Sequence, residues 1–363
     1  MAMDILREEN HGGNVYGLRG NFRRDAVDFS ANINPLGLPL RVKKLLRENI
    51  DMVSHYPQPA AQALRNDLAA WHGLKPDNLL IGNGSIEFIY LLPQVLNMKK
   101  ALIITPGFSE YERSCRLYGV KPVFFRTKEK DGFKVDMPEL IKAVADVDAV
   151  FLCNPNNPTG TIVPARGLSA LIKYCEKHKV FLIVDEAFID FSDDAAEISV
   201  IKETARHKYL LVLRSLTKIF ALAGLRLGYV VACGRVIKWI ESFQYPWNVN
   251  ALAQAAAAEA IRDRQYIKKS RELIRVERDY LVKGLRNLAG IKVYPAEANF
   301  LLCKLDSPGA GSARELRGRL ERRKVLIRDC RNFRGLGKRF FRLAVRNRAE
   351  NKKLLSALAR CLG

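Results

Sequence analysis

The sequence predicts an α/β protein, with a mostly parallel sheet in a large domain followed by a smaller α+β unit. Three observations carry this. Between about Leu80 and Cys233, short apolar runs rich in β-branched residues alternate with amphipathic helical windows, the pattern of strands and crossover helices. Runs such as Val180–Val184 are apolar without alternation, as strands covered on both faces are. After Trp247 the chain turns to long helical stretches rich in Ala, Arg, Lys and Glu, and then to shorter strands.

Taken in order, residues 1–45 are rich in Gly, Asn and Pro with little periodicity, and read as an ordered arm. Residues 46–250 read as the large domain. Strands are expected at Ala101–Thr105, Pro122–Arg126, Ala149–Asn154, Val180–Asp185, Tyr209–Arg214 and Gly228–Ala232. Helices are expected over Ser109–Tyr118, Arg166–His178 and Ala195–Arg206. Residues 251–363 read as a linking helix and a small domain. Asn250–Leu288 forms one long helix or two joined, followed by strands Ile291–Tyr294, Asn299–Lys304, Val325–Asp329 and Arg339–Val345. Helices over Ser312–Arg323 and Ala349–Cys361 complete the unit.

With 363 residues, 48% of them hydrophobic, the chain can bury a substantial core, so global disorder is excluded. No stretch approaches the roughly 20 apolar residues of a membrane span, because Gln254 and Glu259 break the alanine-rich run Ala251–Ile261. No apolar leader follows Met1, and the seven scattered cysteines include no C-x-x-C pair. A cytoplasmic protein with reduced thiols and no metal site is expected. The excess of 60 Lys+Arg over 38 Asp+Glu, a formal charge of +22, is the footprint of a nucleic-acid binder. However, the cations are interleaved with apolar residues at helical spacing, as on solvated helix faces, and there is no basic tail. Nucleic acid is therefore disfavoured as the main ligand.

Four polar segments fall at the carboxyl ends of expected strands, where doubly wound sheets bind ligands. In the first, Gly82–Ser85, Gly84 and Ser85 lead into a helix whose amino end could cradle a phosphate, though the same turn could be a plain N-capped loop. In the second, Asn154–Gly160, Asn157 could donate to a ligand oxygen or belong to an ordinary turn. The third ends an apolar strand on Asp185, a carboxylate that must be paired or must cap a helix. The fourth, Ser215–Tyr229, sets Lys218 beside two hydroxyls, with Arg226 eight residues on. A desolvated lysine among other cations has a lowered pKa and becomes nucleophilic toward an aldehyde, so Lys218 reads as a Schiff-base lysine.

Together these segments resemble the fold-type-I pyridoxal-phosphate enzymes, the aspartate aminotransferase superfamily, over essentially the whole chain. The resemblance implies the transferase fold of that superfamily, with a large-domain sheet of the seven-stranded type. It also implies pyridoxal 5'-phosphate as cofactor, held as a Schiff base to Lys218. Asp185 would pair with the protonated pyridine nitrogen, and Gly84, Ser85, Ser215 and Arg226 would hold the phosphate. Asn157 would contact the ring 3-oxygen, with Phe108 stacked on the ring. Tyr56, within His55–Pro59, matches a segment that in histidinol-phosphate aminotransferase relatives reaches the neighbouring subunit's cofactor, which implies a homodimer with shared sites. One position departs from the aminotransferase pattern: Phe188 stands where many relatives have a tyrosine that hydrogen-bonds the ring oxygen.

The arm narrows the resemblance. His11–Asn14 and Asp28–Gly37, with Pro246–Asn250, Glu297–Leu301 and Ile327–Leu336 leading into Phe341–Arg346, are similar to the threonine-phosphate decarboxylase family of cobalamin biosynthesis. That family converts L-threonine O-3-phosphate to (R)-1-amino-2-propanol O-2-phosphate. Its substrate contacts carry over to His11, Gly12, Asn32, Asn157, Arg328 and Arg342, and the implied partner is a small phosphorylated amino acid. Guanidinium forks suit such a substrate, which offers a carboxylate and a phosphate. Two alternatives remain: a histidinol-phosphate aminotransferase or another pyridoxal-phosphate-dependent aminotransferase, and a nucleic-acid-binding regulator that keeps a vestigial fold.

Overall fold

The computed structural model describes residues 11–16, 26–307, 309 and 311–362. The rest of the arm, which the sequence reads as ordered, lies outside the described residues. Strand β1 (Val27–Asp28) belongs to the arm. Strands β2 (Leu79–Gly82), β3 (Lys100–Thr105), β4 (Lys121–Arg126), β5 (Ala149–Cys153), β6 (Phe181–Asp185), β7 (Leu210–Ser215) and β8 (Gly228–Val231) form one seven-stranded sheet in the order β2-β8-β7-β6-β5-β3-β4. All its pairs are parallel except those of β8, which runs antiparallel to both β2 and β7.

Successive residues of β5 bury against opposite layers, Val150 and Leu152 on one side, Ala149, Phe151 and Cys153 on the other. This double covering is why the central strands carry no polar alternation. The register then sets the carboxyl ends in a row: Cys153 lies beside Asp185, and Ser215 and Gly82 both pair with Gly228.

After the helices Ala251–Ile261 and Arg264–Arg286 come β9 (Ile291–Val293), β10 (Phe300–Leu305), β11 (Val325–Leu326), β12 (Arg328–Asp329) and β13 (Phe340–Ala344). An antiparallel sheet β12-β13-β10-β9 packs at one side, and β11 pairs in parallel with β1 of the arm. Among the described residues no helix is long and apolar enough to cross a membrane, and no cluster of His, Cys, Asp or Glu could hold a metal.

Three elements differ from the sequence reading, and one more resolves a choice it left open. The helix expected over Ala195–Arg206 stops at Ile198 and resumes as a 3-10 turn at Ile201–Ala205. The buried Glu186 carboxylate takes the Ser199 hydroxyl (2.6 Å) and the Val200 N–H (2.9 Å), which withdraws that amide from the helical ladder. The long stretch over Asn250–Leu288 is two helices, because Asp263 accepts from Tyr266 N–H (2.9 Å) and starts the second. The strand expected at Val325–Asp329 divides between two sheets, one half on the arm and the other on β13. At the end of the arm, Leu40–Glu48 is a helix that runs past residue 45 into the large domain, although only Val42 on it is buried.

Candidate active site

Lys218 lies in the short helix Leu216–Ile219 that follows β7, with its amine facing a cavity of about 610 Å³. Its Nζ donates to Thr217 Oγ1 (2.8 Å), and that hydroxyl also bonds Ser215 Oγ (2.7 Å). Burial, with the positive charges of Arg226 and Arg342, pushes the Lys218 pKa down to about 8, against the opposing pull of Asp185. About a tenth of the amine is therefore neutral at pH 7, and about half at pH 8.

Asp185, at the end of β6, is buried, and burial pushes its carboxyl above the ordinary range. Tyr111 Oη donates to it (2.6 Å), as does the Ala187 N–H (3.0 Å), and both favour its ionised form. Tyr111 stacks on Phe151 and meets Phe108 edge-on, so the acid is held from behind by a rigid aromatic layer. No protein cation bonds this carboxylate among the described residues, which leaves it suited to a positively charged ligand nitrogen.

The anion-binding end lies beside it. Gly84 has φ +80° and starts the helix Ser85–Val95, which no side chain caps. A Cβ on Gly84 would come within 3.0 Å of Arg226 Nη2, and one on Gly228 within 2.2 Å of the Ser85 nitrogen. Glycine at both positions lets β8, the helix start and the guanidinium close into one cradle, with the Ser215 and Thr217 hydroxyls beside it.

Across the cavity stand two arginines on neighbouring strands. Arg328 of β12 and Arg342 of β13 are direct cross-strand partners, and both are buried. Arg342 donates to Asn157 Oδ1 and to the Ser30 carbonyl (2.7 Å), while its Nε has no partner. Burial pushes Arg342 down to about 10, and the Arg328 charge adds to the shift. Arg328 donates to Asn332 Oδ1 (2.7 Å) and lies over the Phe333 ring. Two like charges placed opposite each other on a buried ladder repel, and both of these guanidinium groups line the cavity.

The arm closes the remaining side. His11 and Gly12 line the cavity, as does Asn32, whose buried Oδ1 has no partner. Of the residues singled out from the sequence, all but Tyr56 line this one cavity. Tyr56 is 81% exposed and stacks on Trp247 away from it. Phe188 lines the cavity and packs edge-on against Phe300, with no polar group to offer. A wider groove of about 1040 Å³ lies between Trp71–Gly73 and Arg264–Arg275, but its buried charge is already matched, Arg214 pairing with Glu186 and Asp190.

Sequence reasoning missed Tyr111, Glu110 and Ser30. Tyr111 and Glu110 lie in the first turn of the helix Ser109–Leu117, where they read as ordinary core and ordinary helix-end acid. Ser30 acts partly through its carbonyl, which no side-chain pattern reveals.

The geometry agrees with comparisons to known proteins. Residues 24–358 match the family model described as aminotransferase class I and II. A threonine-phosphate decarboxylase from Salmonella typhimurium is 37% identical over 97% of this chain and 96% of its own. Among solved structures, L-threonine-O-3-phosphate decarboxylase from Porphyromonas gingivalis is 30% identical with a TM-score of 0.81, covering 92% of this chain and 98% of its own. A histidinol-phosphate aminotransferase from Clostridium acetobutylicum is 34% identical with a TM-score of 0.84 over the same shares. By sequence and by fold, the chain belongs to the aminotransferase class I and II family.

Proposed function

We propose that this chain is a pyridoxal-phosphate-dependent decarboxylase that releases CO2 from L-threonine O-3-phosphate and yields (R)-1-amino-2-propanol O-2-phosphate for cobalamin biosynthesis. The observation that carries the reading is the buried pair Arg328 and Arg342, facing the same cavity as Lys218 and the arm. A substrate with both a carboxylate and a phosphate offers an anion to each of these two guanidinium groups. The cavity also fits the cofactor: a glycine cradle at an uncapped helix start for its phosphate, and a carboxylate without a cation for its ring nitrogen.

Bound pyridoxal phosphate supplies an electron sink for the pair left when a bond at the substrate α-carbon breaks. The chain's own residues do the rest. Lys218 offers the neutral amine that attaches the cofactor, and its Nζ later delivers a proton to the α-carbon. Asp185 keeps the ring nitrogen protonated, and Tyr111 holds Asp185 in place. Gly84, Ser85, Ser215 and Arg226 hold the cofactor phosphate, Asn157 meets the ring oxygen, and Phe108 covers one face. Arg328 with His11, Gly12 and Asn32 binds the substrate phosphate, and Arg342 binds the carboxylate. By placing the two anions, Arg328 and Arg342 would orient the substrate α-carbon and so select decarboxylation over transamination.

The same reading divides the chain into an arm (1–45), a large domain (46–250) and a linking helix with a small domain (251–363). It places Tyr56 at a homodimer interface, supported by the exposed Leu40, Val53, Tyr56 and Tyr245. It also makes the protein a cytoplasmic enzyme. The test is direct: purified protein with pyridoxal phosphate should release CO2 from phosphothreonine with no oxo acid present. Glutamate-coupled turnover of histidinol phosphate without CO2 release would instead identify an aminotransferase.

A further inference from the structure

We propose that Glu110 is a positioning residue that fastens the arm segment His11–Gly13 across the cavity mouth and thereby sets substrate affinity. This deepens the decarboxylase reading and rests on it, because that reading places His11 and Gly12 on the substrate phosphate.

Glu110 is the second residue of the helix Ser109–Leu117, directly after Phe108, and its carboxylate is only 4% exposed. An acid there satisfies the helix dipole whichever way its side chain points. This one turns to the cavity and receives three groups: His11 Nε2 at 3.0 Å, the Tyr90 hydroxyl at 2.5 Å and, more distantly, Arg113 at 3.7 Å. Burial pushes its carboxyl up, but the His11 and Tyr90 hydrogen bonds hold it below the ordinary range, so it is ionised. The His11 ring is half-exposed and tilts over Phe108 at 5.9 Å. Among the described residues Glu110 is its only polar partner. With Nε2 taken by Glu110, Nδ1 is the ring nitrogen left for a ligand.

The other end of the segment is tied separately. Gly13 N–H donates to Ser30 Oγ (2.7 Å), and Ser30 Oγ donates to Asp28 Oδ1 (2.5 Å). Between the ties, Gly12 passes so close to Ser30 that a Cβ would fall 2.1 Å from its carbonyl oxygen. That carbonyl is the one Arg342 holds. Glu110 therefore joins the helix after β3 to the part of the arm that reaches the substrate arginines. Its removal frees one end of the segment and leaves Lys218, Asp185 and the phosphate cradle untouched.

The experiment compares Glu110→Leu, which has no acceptor, with Glu110→Gln, which keeps one, in the cofactor-loaded enzyme acting on phosphothreonine. Expected are a KM raised about tenfold for the leucine variant and two- to threefold for the glutamine variant. The kcat should stay within about twofold and the cofactor absorbance unchanged. Exchange of the Gly13 amide should quicken in both. His11→Ala should raise KM at least as much, and adding Glu110→Leu to it should add little. If the leucine variant fails to fold, the glutamine variant carries the same two readouts. Wild-type KM and Gly13 exchange, a loss confined to kcat, or multiplying effects of the two substitutions would each overturn the proposal. An inert His11→Ala would instead sink the substrate-site reading itself.

Discussion

Lys218 should destabilise the folded apoprotein by an amount that disappears as the pH rises. Its folded pKa of about 8 lies below the usual 10.5. Below pH 8 both folded and unfolded chains carry the protonated amine, so the full penalty is present, up to about 3 kcal/mol. Between pH 8 and 10.5 the folded chain sheds its proton first, and stability rises with pH through that window. At pH 9.5 about 1.4 kcal/mol of the penalty remains, and above 10.5 none. Lys218→Met keeps the side-chain length and removes the charge. The variant apoprotein should therefore gain up to about 3 kcal/mol at pH 7 and about half of that at pH 9.5. Urea unfolding of both proteins at the two pH values measures this, and taking the difference at each pH cancels every other titrating group. A gain that is equal at pH 7 and 9.5 would refute the electrostatic argument, as would a net loss at pH 7.

Arg328→Met removes a guanidinium that lines the cavity, so KM for phosphothreonine should climb on the order of 100-fold from two lost charge-assisted hydrogen bonds. Steady-state CO2 release checks this, and an unchanged KM would contradict a role for Arg328 in holding substrate. Tyr111→Phe takes a donor from a buried carboxylate and should cost about 1–3 kcal/mol at pH 7; an unchanged denaturation midpoint would show that Asp185 does not depend on it. Gly228→Ala drives a Cβ to 2.2 Å from the Ser85 nitrogen. Loss of cofactor absorbance after gel filtration is expected, and a variant that keeps its cofactor would show that the cradle can yield.

Most of the site was legible because its side chains follow strand ends, and strand ends can be found from apolar runs. Asp185, Ser215 and Lys218 each sit at or just after the end of a buried, mostly apolar strand. The elements that escaped the reading are those decided by partners distant in sequence. The helix over Ala195–Arg206 is locally plausible, and only the Glu186 carboxylate arriving from the end of β6 interrupts it. Val325–Asp329 has the composition of one strand, yet its halves answer to β1, nearly 300 residues away, and to β13, 12 to 14 residues away. Glu110 could not be told from a helix-end acid without knowing that His11 comes back to meet it. Periodicity reports which face is buried but not what is buried against it.

The division of labour between the two sheets bears on reaction choice. The cofactor cradle and Lys218 stand on the seven-stranded sheet, while Arg328 and Arg342 stand on the four-stranded one. The distance between them is set where a segment binds both, and the arm does so within a few residues. Phe29 exchanges backbone hydrogen bonds with Leu326 and Ala344, Asn32 O accepts from Asn299, and Asn34 N–H donates to the carbonyl of Lys218 itself (3.1 Å). Asn34 Nδ2 further bonds the Ile219 carbonyl and Ser270 (2.7 Å each). Under the decarboxylase reading Arg342 would hold the substrate carboxylate, so the distance between Arg342 and Lys218 would set how that group is presented. Residues 28–34 hold that distance from both ends. An enzyme that shares the cofactor residues of an aminotransferase can thus differ in outcome through its arm, with no change in the residues that touch the ring.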